Sequence, residues 1–446
     1  MNIWSVDHVI RRHAPIKCIR NAITHYILIE YFMKKPSSHN KENNRLVCVH
    51  SYFYPDNSAG SQMLCDLSFC LSSNSFDVSV IASRKMRYDY DNALLNQEII
   101  NGVHVYRVWS SNLGRKRIIN RVVDYVTLEI SLMMKIFQIV KAGDIVILMS
   151  EPPLLNIFAY PLIRLKKGVV TNWVQDLFPE VAVSAGLFSK KSFINRLITK
   201  LRNYVFKRAD QNIVIGNRMF DYLVNIGVSY KNITKIENWS DGRAIHPVPH
   251  NDNHLRKDWG LEGKFVIGYS GNLGRVQHDI STILAVIWKL RFNTTILFLF
   301  IGSGVGLDRI KKYVEEKNLD NVMFKPFQSR DLLSMSLCVA DIHWLTLNPN
   351  MEGFIVPSKF YGILAASKPV IFIGDTDGEI ARDIKRIDCG SSFEIGDSDK
   401  LENFIIQCAN DPKYVEKIGN IGRQKFGELY DFPVAVEKFV QLFKEL

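Results

Sequence analysis

The stretch GYSGNLGRVQHDISTIL (268–284) carries the clearest chemical signal in the chain. An apolar run enters a corner made of Gly271, Asn272, Leu273, Gly274 and Arg275, and helical spacing follows from about His278. Glycines at such a corner let a ligand approach the backbone closely. The free amides of the helix start then face an anion, and Arg275 can add a two-pronged cation. A plainer reading is that the glycines only relieve crowding. NPNMEGFIVPSK (348–359) offers a second set: Glu352, Gly353 and Phe354, then Pro357 and Ser358 at a helix start with Lys359 in its first turn. A lysine there opposes the helix dipole, which favours anions at that end. Its presence is natural if a phosphate bridges the ammonium and the amides, and Glu352 can accept hydrogen bonds from ribose or sugar hydroxyls. The plainer alternative is a capping Ser358 beside a solvated Lys359.

VQDLFPE (174–180) places Asp176 and Glu180 four residues apart after an apolar run. Two carboxylates there can face one cleft, where one would orient an acceptor hydroxyl or stabilise positive charge in a transition state. An Asp that merely caps the next helix is equally open. SYFYPDNSAGSQM (51–63) sets Gly60 and Gln62 at the start of a long helix, a position suited to an acceptor or sugar contact. Asp-x-Asp pairs occur at Asp89/Asp91, Asp375/Asp377 and Asp397/Asp399. Such pairs can hold a divalent cation, but all three lie in polar, turn-like stretches and read as turns. No metal and no cofactor are expected.

These residues need strands to end beside one another. From Arg45 the chain alternates apolar, β-branched runs (RLVCVHS, FDVSVIAS, GVHVYRV, DIVILMS, GVVTNWVQ, QNIVIG) with helical stretches such as 61–73. Near-continuous apolar strands separated by helices indicate a parallel sheet covered on both faces. The polar segment 241–263 reads as a linker, and the pattern restarts with FVIGYSG, TTILFLFIGSG, NVMFKPF, ADIHWLTL and KPVIFIGD. The chain is therefore expected to be α/β, with two tandem doubly wound, Rossmann-like domains (45–240 and 264–430) facing a central cleft. Ligands in open α/β sheets bind at strand C-termini. DFPVAVEKFVQLFKEL (431–446) reads as an amphipathic helix that returns to the first domain.

Composition agrees and narrows the choice. With 446 residues, 47% hydrophobic and 23% charged, the chain supports about two to four globular units and is not disordered over most of its length. Its +11 charge, from 56 Lys+Arg and 45 Asp+Glu, calls for an acidic partner: nucleic acid, anionic lipid or a phosphorylated small molecule. The seven cysteines are scattered with no Cys-x-x-Cys pair, which reads as buried reduced thiols in a cytoplasmic protein. The segment 123–140 contains Asp124, Glu129 and Lys135 and is a poor membrane span. It reads as an amphipathic helix preceded by Arg115, Lys116, Arg117 and Arg121, either packing on a core or touching anionic headgroups. Residues 1–44 lack the strand–helix rhythm and hold seven Lys/Arg against three Asp/Glu. They are either a membrane-surface arm or sequence ahead of a start at Met33.

Taken in order, YFYPDNSAGSQ, SEPPL, VQDLFPE, ENWSD, GYSGNLGRVQ and EGFIVPSKFYGILAASKPVIF closely resemble bacterial glycosyltransferases of family 4. The resemblance covers about Arg45 to Leu446. It implies the GT-B architecture and a retaining enzyme of O-antigen, capsule or exopolysaccharide assembly, acting at the inner face of the cytoplasmic membrane. Carried over by position, Gly271, Asn272, Gly274 and Arg275 would approach the donor diphosphate, with Gln277 where many relatives have lysine. Glu352, Gly353 and Phe354 would contact the transferred sugar and its phosphate, and Pro357, Ser358 and Lys359 the nucleotide side. Gly302 and Gly304, with the backbone near 325–327, resemble the stretch that seats base and ribose. Asp176 matches the acidic position of the subgroup's Asp-Leu-Trp-Pro-Glu motif, with Phe178 replacing Trp. By their own placement at strand ends, Gly60, Gln62 and Glu180 are the acceptor-side candidates. One departure stands out. Counting back from Lys368-Pro369 puts the family's second, ribose-binding glutamate at Gly362.

The expected reaction moves a sugar from a nucleotide diphosphate, uridine-linked, to a lipid-linked acceptor. A hexosyl or N-acetylhexosaminyl group would leave through an ion-pair-like transition state, with cations and amides stabilising the departing diphosphate. A sugar-nucleotide epimerase of similar architecture is the first rival. A nucleic-acid binder is the second, disfavoured because the basic residues are spread out with no basic–aromatic module.

Overall fold

The computed structural model describes residues 45–87, 94–111, 113, 118–274 and 279–446. The 1–44 extension with Met33, the basic run 115–117, the Asp89/Asp91 pair, and the site candidates Arg275 and Gln277 lie outside the described residues. The chain divides into two compact units, 1–146 with 165–168, and 147–164 with 169–446. The division falls inside the first α/β segment rather than at 241–263.

In the first unit, β1 (Arg45–Val49), β2 (Asp77–Ser83), β3 (Gln97–Ile100) and β4 (Val103–Val108) run in the order β3-β4-β2-β1. β1, β2 and β4 are parallel, and β3 is an antiparallel edge. Leu46, Val47, Cys48 and Val49 of β1 are all buried, as strands covered on both faces require. Helix α1 (Ala59–Ser73) follows β1, and α2 (Ile118–Ile139) follows β4. β5 (Ile145–Met149) runs across the boundary between the units.

The second unit holds β6 (Val169–Val174), β7 (Gln211–Val214) and β8 (Ile233–Lys235), parallel and in that order. With them go α3 (Leu155–Leu165), α4 (Glu180–Ser184), α5 (Phe193–Arg208), α6 (Asn217–Asn225) and α7 (His254–Asp258). A second, wholly parallel sheet contains β9 (Phe265–Asn272), β10 (Ile296–Ser303), β11 (Val322–Lys325), β12 (Ile342–Thr346), β13 (Val370–Ile373) and β14 (Gly390–Phe393). Its order, β11-β10-β9-β12-β13-β14, reverses beside β9. That switch point is where open α/β sheets leave a crevice for ligands. The remaining helices are α8 (Ser281–Lys289), α9 (Val305–Lys317), α10 (Leu333–Cys338), α11 (Lys359–Ala365), α12 (Glu379–Ile387), α13 (Ser398–Asn410), α14 (Pro412–Leu429) and α15 (Phe432–Glu445). Both expected doubly wound sheets are present.

Two connecting segments decide how the second unit holds together. The 241–263 stretch is packed rather than free. Leu255 and Leu261 join a buried cluster with Val266, Leu299 and Val339. Buried Arg256 donates to the Val339 carbonyl at 2.5 Å and pairs with Asp341 at 3.4 Å. A polar composition concealed this, because its buried groups are satisfied by partners distant in sequence. The C-terminal helix α15 lays Phe439 against Trp173 of β6, ring centroids 5.1 Å apart, and Trp173 stacks on Trp239 at 5.7 Å. It thus packs on the β6 sheet, after a crossing where the Phe432 amide donates to the Ser240 carbonyl at 3.0 Å.

Candidate functional site

The strand ends of β9 and β10 are paired residue for residue, Gly302 beside Gly271 and Ser303 beside Asn272. Gly271, Gly302 and Gly304 all have φ between 124° and 136°, a region side chains rarely adopt. A Cβ on Gly302 would lie 2.2 Å from the Gly271 carbonyl oxygen, and one on Gly304 2.4 Å from the Leu273 oxygen. The glycines of FIGSG therefore have a structural duty: they let the two strand ends close on each other. The Leu273 amide donates to the Ser303 carbonyl, and the Gly306 amide returns to the Leu273 carbonyl, both at 2.9 Å.

Lys359, first residue of α11, reaches back across this corner. A Cβ on Gly271 would sit 2.3 Å from Lys359 Cε, so only glycine leaves the side chain its path. The ammonium lies 5.5 Å from the centre of the Tyr269 ring. Among the described residues no carboxylate pairs with it, and burial pulls its pKa down to about 8. Lys359 is thus half-buried rather than extended into solvent. Nor does Ser358 cap the helix, since its side chain makes no capping hydrogen bond. The lysine is left half-buried, with no carboxylate partner among the described residues.

A second group of residues gathers around Glu352. Its Oε1 accepts from the Glu379 amide at 2.7 Å, at the start of α12. A Cβ on Gly378 would collide with Oε2 at 2.6 Å. Burial, then the nearby Asp375, raises the Glu352 pKa. Glu379 turns its own carboxylate onto the start of α6, accepting from the amides of Asn217 (2.8 Å) and Arg218 (2.9 Å) and from Asn217 Nδ2. Arg218 pairs with Asp377 at 2.9 Å, and Gly353, at φ 79°, passes over its Cβ. Sequence reasoning missed Glu379, Asn217 and Arg218. Asn217 and Arg218 follow a strand end in IGNRM, which was a usable signal; Glu379 had none.

The acidic loop after β6 lies against this group. The Leu177 amide donates to the Phe354 carbonyl at 2.9 Å, and the Phe354 ring meets Tyr222 edge-on at 5.7 Å. Asp176 and Glu352 therefore stand on loops that touch. Asp176 is exposed, with its amide 3.3 Å from Ser150 Oγ. With Phe178, Arg202 and Phe206 it lines a cavity of about 20 Å³, room for one water. Glu180 does something else. Its two oxygens take a paired contact from Arg202 at 2.7 and 2.8 Å, and Tyr222 donates to it as well. The two carboxylates differ in setting: Asp176 is exposed, and Glu180 is held by Arg202 and Tyr222.

In the first unit Gly60 lies in the first turn of α1, and Gln62 Nε2 donates to the Asn57 carbonyl at 2.7 Å. Pro357 accepts from the Phe360 amide at 3.2 Å. Gly362 is buried, and a Cβ there would point to Ser240 Oγ and Ile245 at 3.6–3.7 Å. These are ordinary contact distances, so Cβ crowding does not account for the glycine at this position.

Residues 251–425 match the family model described as Glycosyl transferases group 1. The chain carries a group 1 glycosyl transferase domain. It is 29% identical over 310 residues to a probable glycosyltransferase, WbjE, of Pseudomonas aeruginosa, covering 69% of this chain and 76% of that protein. It is 26% identical over 213 residues to the putative colanic acid biosynthesis glycosyl transferase WcaI of Escherichia coli K12, 47% of this chain and 52% of that one. Among solved structures, sucrose-phosphate synthase of Thermosynechococcus elongatus gives a TM-score of 0.69 at 15% identity, covering 90% of this chain and 98% of that one. Anabaena HepE, solved with UDP, gives 0.67 at 12% identity, covering 90% and 100%. At such identities the likeness shows the fold, which is GT-B.

Proposed function

We propose that this glycosyltransferase moves a sugar, with retention, from a uridine-diphosphate donor to a lipid-linked acceptor in bacterial surface-polysaccharide assembly. The observation that carries the donor side is Lys359. A half-buried cation with no carboxylate partner among the described residues, laid across the glycine corner of β9, meets the need of a leaving diphosphate. HepE, of the same fold, is solved in complex with UDP, and WcaI is named for colanic acid biosynthesis, which supports the substrate class.

In this reading the Gly271–Gly274 corner and Lys359, with Arg275 and Gln277, receive the diphosphate. Gly302 and Gly304 bring the β10 end close to the nucleoside. Glu352, fixed by the Glu379 amide, accepts from sugar hydroxyls through its second oxygen, with Gly353 and Phe354 alongside. Pro357 and Ser358 shape the nucleotide edge. Asp176, open to solvent on the loop tied to Phe354, orients the acceptor hydroxyl. The C–O bond to the diphosphate breaks as the acceptor oxygen forms its bond on the same sugar face. The acceptor's proton goes to the departing phosphate oxygen, whose charge Lys359 offsets.

Attachment to the inner face of the cytoplasmic membrane is part of the proposal. No helix among the described residues is long and apolar enough to cross a membrane. On α2, however, Ile119, Val122, Val126, Ile130, Met134 and Phe137 are exposed along one side, and Lys166 lies over the Phe137 ring at 4.2 Å. The test is single-turnover transfer from UDP-sugars to a lipid-linked acceptor. Lys359→Ala is expected to lower the rate about 10²–10³-fold, as for loss of one transition-state donor. Unchanged rates in both Lys359→Ala and Arg275→Ala would overturn the assignment, and turnover of donor without acceptor would mark an epimerase.

A further inference from the structure

Helix α5 is built inside out. Its buried positions include Asn195 and Arg202 beside Val205 and Phe206. Its exposed positions hold Phe193 (77% exposed), Ile194 (59%), Leu197, Leu201 and Tyr204, preceded by exposed Leu187. Residues 193, 197, 201 and 204 recur at helical spacing, so these side chains form one stripe. A solvated helix has the opposite polarity, and a contiguous exposed apolar stripe marks a surface that something covers.

The charges around the stripe indicate what covers it. Residues 181–209 contain no Asp or Glu. Lys190, Lys191, Arg196, Lys200, Lys207 and Arg208 are all exposed, and no described carboxylate pairs with any of them. Long basic side chains beside apolar ones, on a face lying flat, are the chemistry of an interfacial helix: the apolar groups enter the acyl boundary while the cations reach headgroup phosphates. A second copy of this chain docked through the same face would bring six cations against six, which repel.

We propose that the outward face of α5 seats on an anionic bilayer surface and so presents the Asp176 loop to an acceptor still held in that bilayer. This deepens the lipid-linked-acceptor reading and rests on it. The inward face of α5 supplies Arg202 and Phe206 to the wall of the small cavity that Asp176 and Phe178 also line. One helix diameter, about 10 Å, then separates the headgroups from the acidic loop.

The experiment is co-sedimentation of the full chain with phosphatidylcholine vesicles and with vesicles containing about a third phosphatidylglycerol. UDP binding and the unfolding midpoint are measured on the same samples. Wild type is expected to bind the anionic vesicles, less so as salt rises. Phe193→Ser/Leu197→Ser/Leu201→Ser and Lys191→Glu/Lys200→Glu are each expected to weaken binding at least about tenfold, with UDP affinity and folding unchanged. Binding by the apolar variant equal to wild type would overturn the proposal and assign attachment to α2. Absence of wild-type binding would also overturn it, as would a wild-type dimer that the apolar variant turns into monomer. Loss of UDP binding in the wild type is a separate failure: it would remove the donor reading whatever the vesicles show.

Discussion

Arg202 is a buried cation and Lys359 a half-buried one, and the protein treats them in opposite ways. Arg202, 2% exposed, is met by both oxygens of Glu180 and lies 3.1 Å from the Tyr222 hydroxyl. Lys359 has an aromatic face and a glycine, and burial moves its pKa toward neutrality. A buried charge is tolerated when it is paired and hydrogen-bonded, and otherwise costs stability. The first arrangement is complete in the free protein. The second, in the function proposed above, is left for an anion to complete. The difference separates scaffold from site better than residue type does, since the sequence motifs place Glu180 and Lys359 on equal terms.

The sharpest way to break the contrast is on the scaffold side. Glu180→Ala leaves Arg202 buried without its carboxylate and is expected to cost about 3–5 kcal/mol of stability. Urea unfolding measures it, and a loss below 1 kcal/mol would mean that the pair is not structural. Gly302→Ala comes next. With φ at 136° and a Cβ 2.2 Å from the Gly271 oxygen, it is expected to cost about 3 kcal/mol and to weaken UDP binding by opening the corner on which Lys359 lies. Thermal unfolding with and without UDP separates the two effects.

A smaller effect follows from pH. Diphosphate binding favours the charged lysine, and in the free protein that charge is lost as pH rises through about 8. UDP affinity is therefore expected to fall about tenfold between pH 7 and pH 9, as read by calorimetry. A flat profile would show that another cation carries the interaction.

Much of the architecture was legible because parallel strands announce themselves. The apolar runs from RLVCVHS to KPVIFIGD correspond to β1, β2, β4 to β7 and β9 to β13. Short β3, β8 and β14 escaped notice. Each lies at the end of its strand order, where QEII, ITK and GSSF need little apolar surface. The 241–263 segment misled for a related reason: Arg256 and Asn253 are buried against partners some 80 residues away, and composition carries no record of such pairing.

The candidate site is legible in the sequence only as a set of motifs. Motif order led to Lys359, Glu352 and the glycine corner. Spacing alone put Asp176 and Glu180 together, yet Glu180 belongs to Arg202, a partner 22 residues on that no local pattern indicates. The basic, apolar face of α5 was overlooked because periodicity reports that a helix is amphipathic without saying which side is buried. The buried Asn195 and Arg202 settle that only in three dimensions.

The most direct measurement compares UDP affinity and unfolding midpoint in Lys359→Met and wild type at pH 7. In the free protein Lys359 holds its proton less tightly than in the unfolded chain. Its penalty is therefore full below about pH 8 and fades as pH rises toward 10.5. A methionine of similar length removes the charge and keeps the packing. If Lys359 is an uncompensated cation kept for the donor diphosphate, the variant unfolds at a higher temperature than wild type and loses UDP binding at least about tenfold. A lower midpoint with unchanged UDP affinity would contradict it, and would place Lys359 with Arg202 among the residues that only hold the fold.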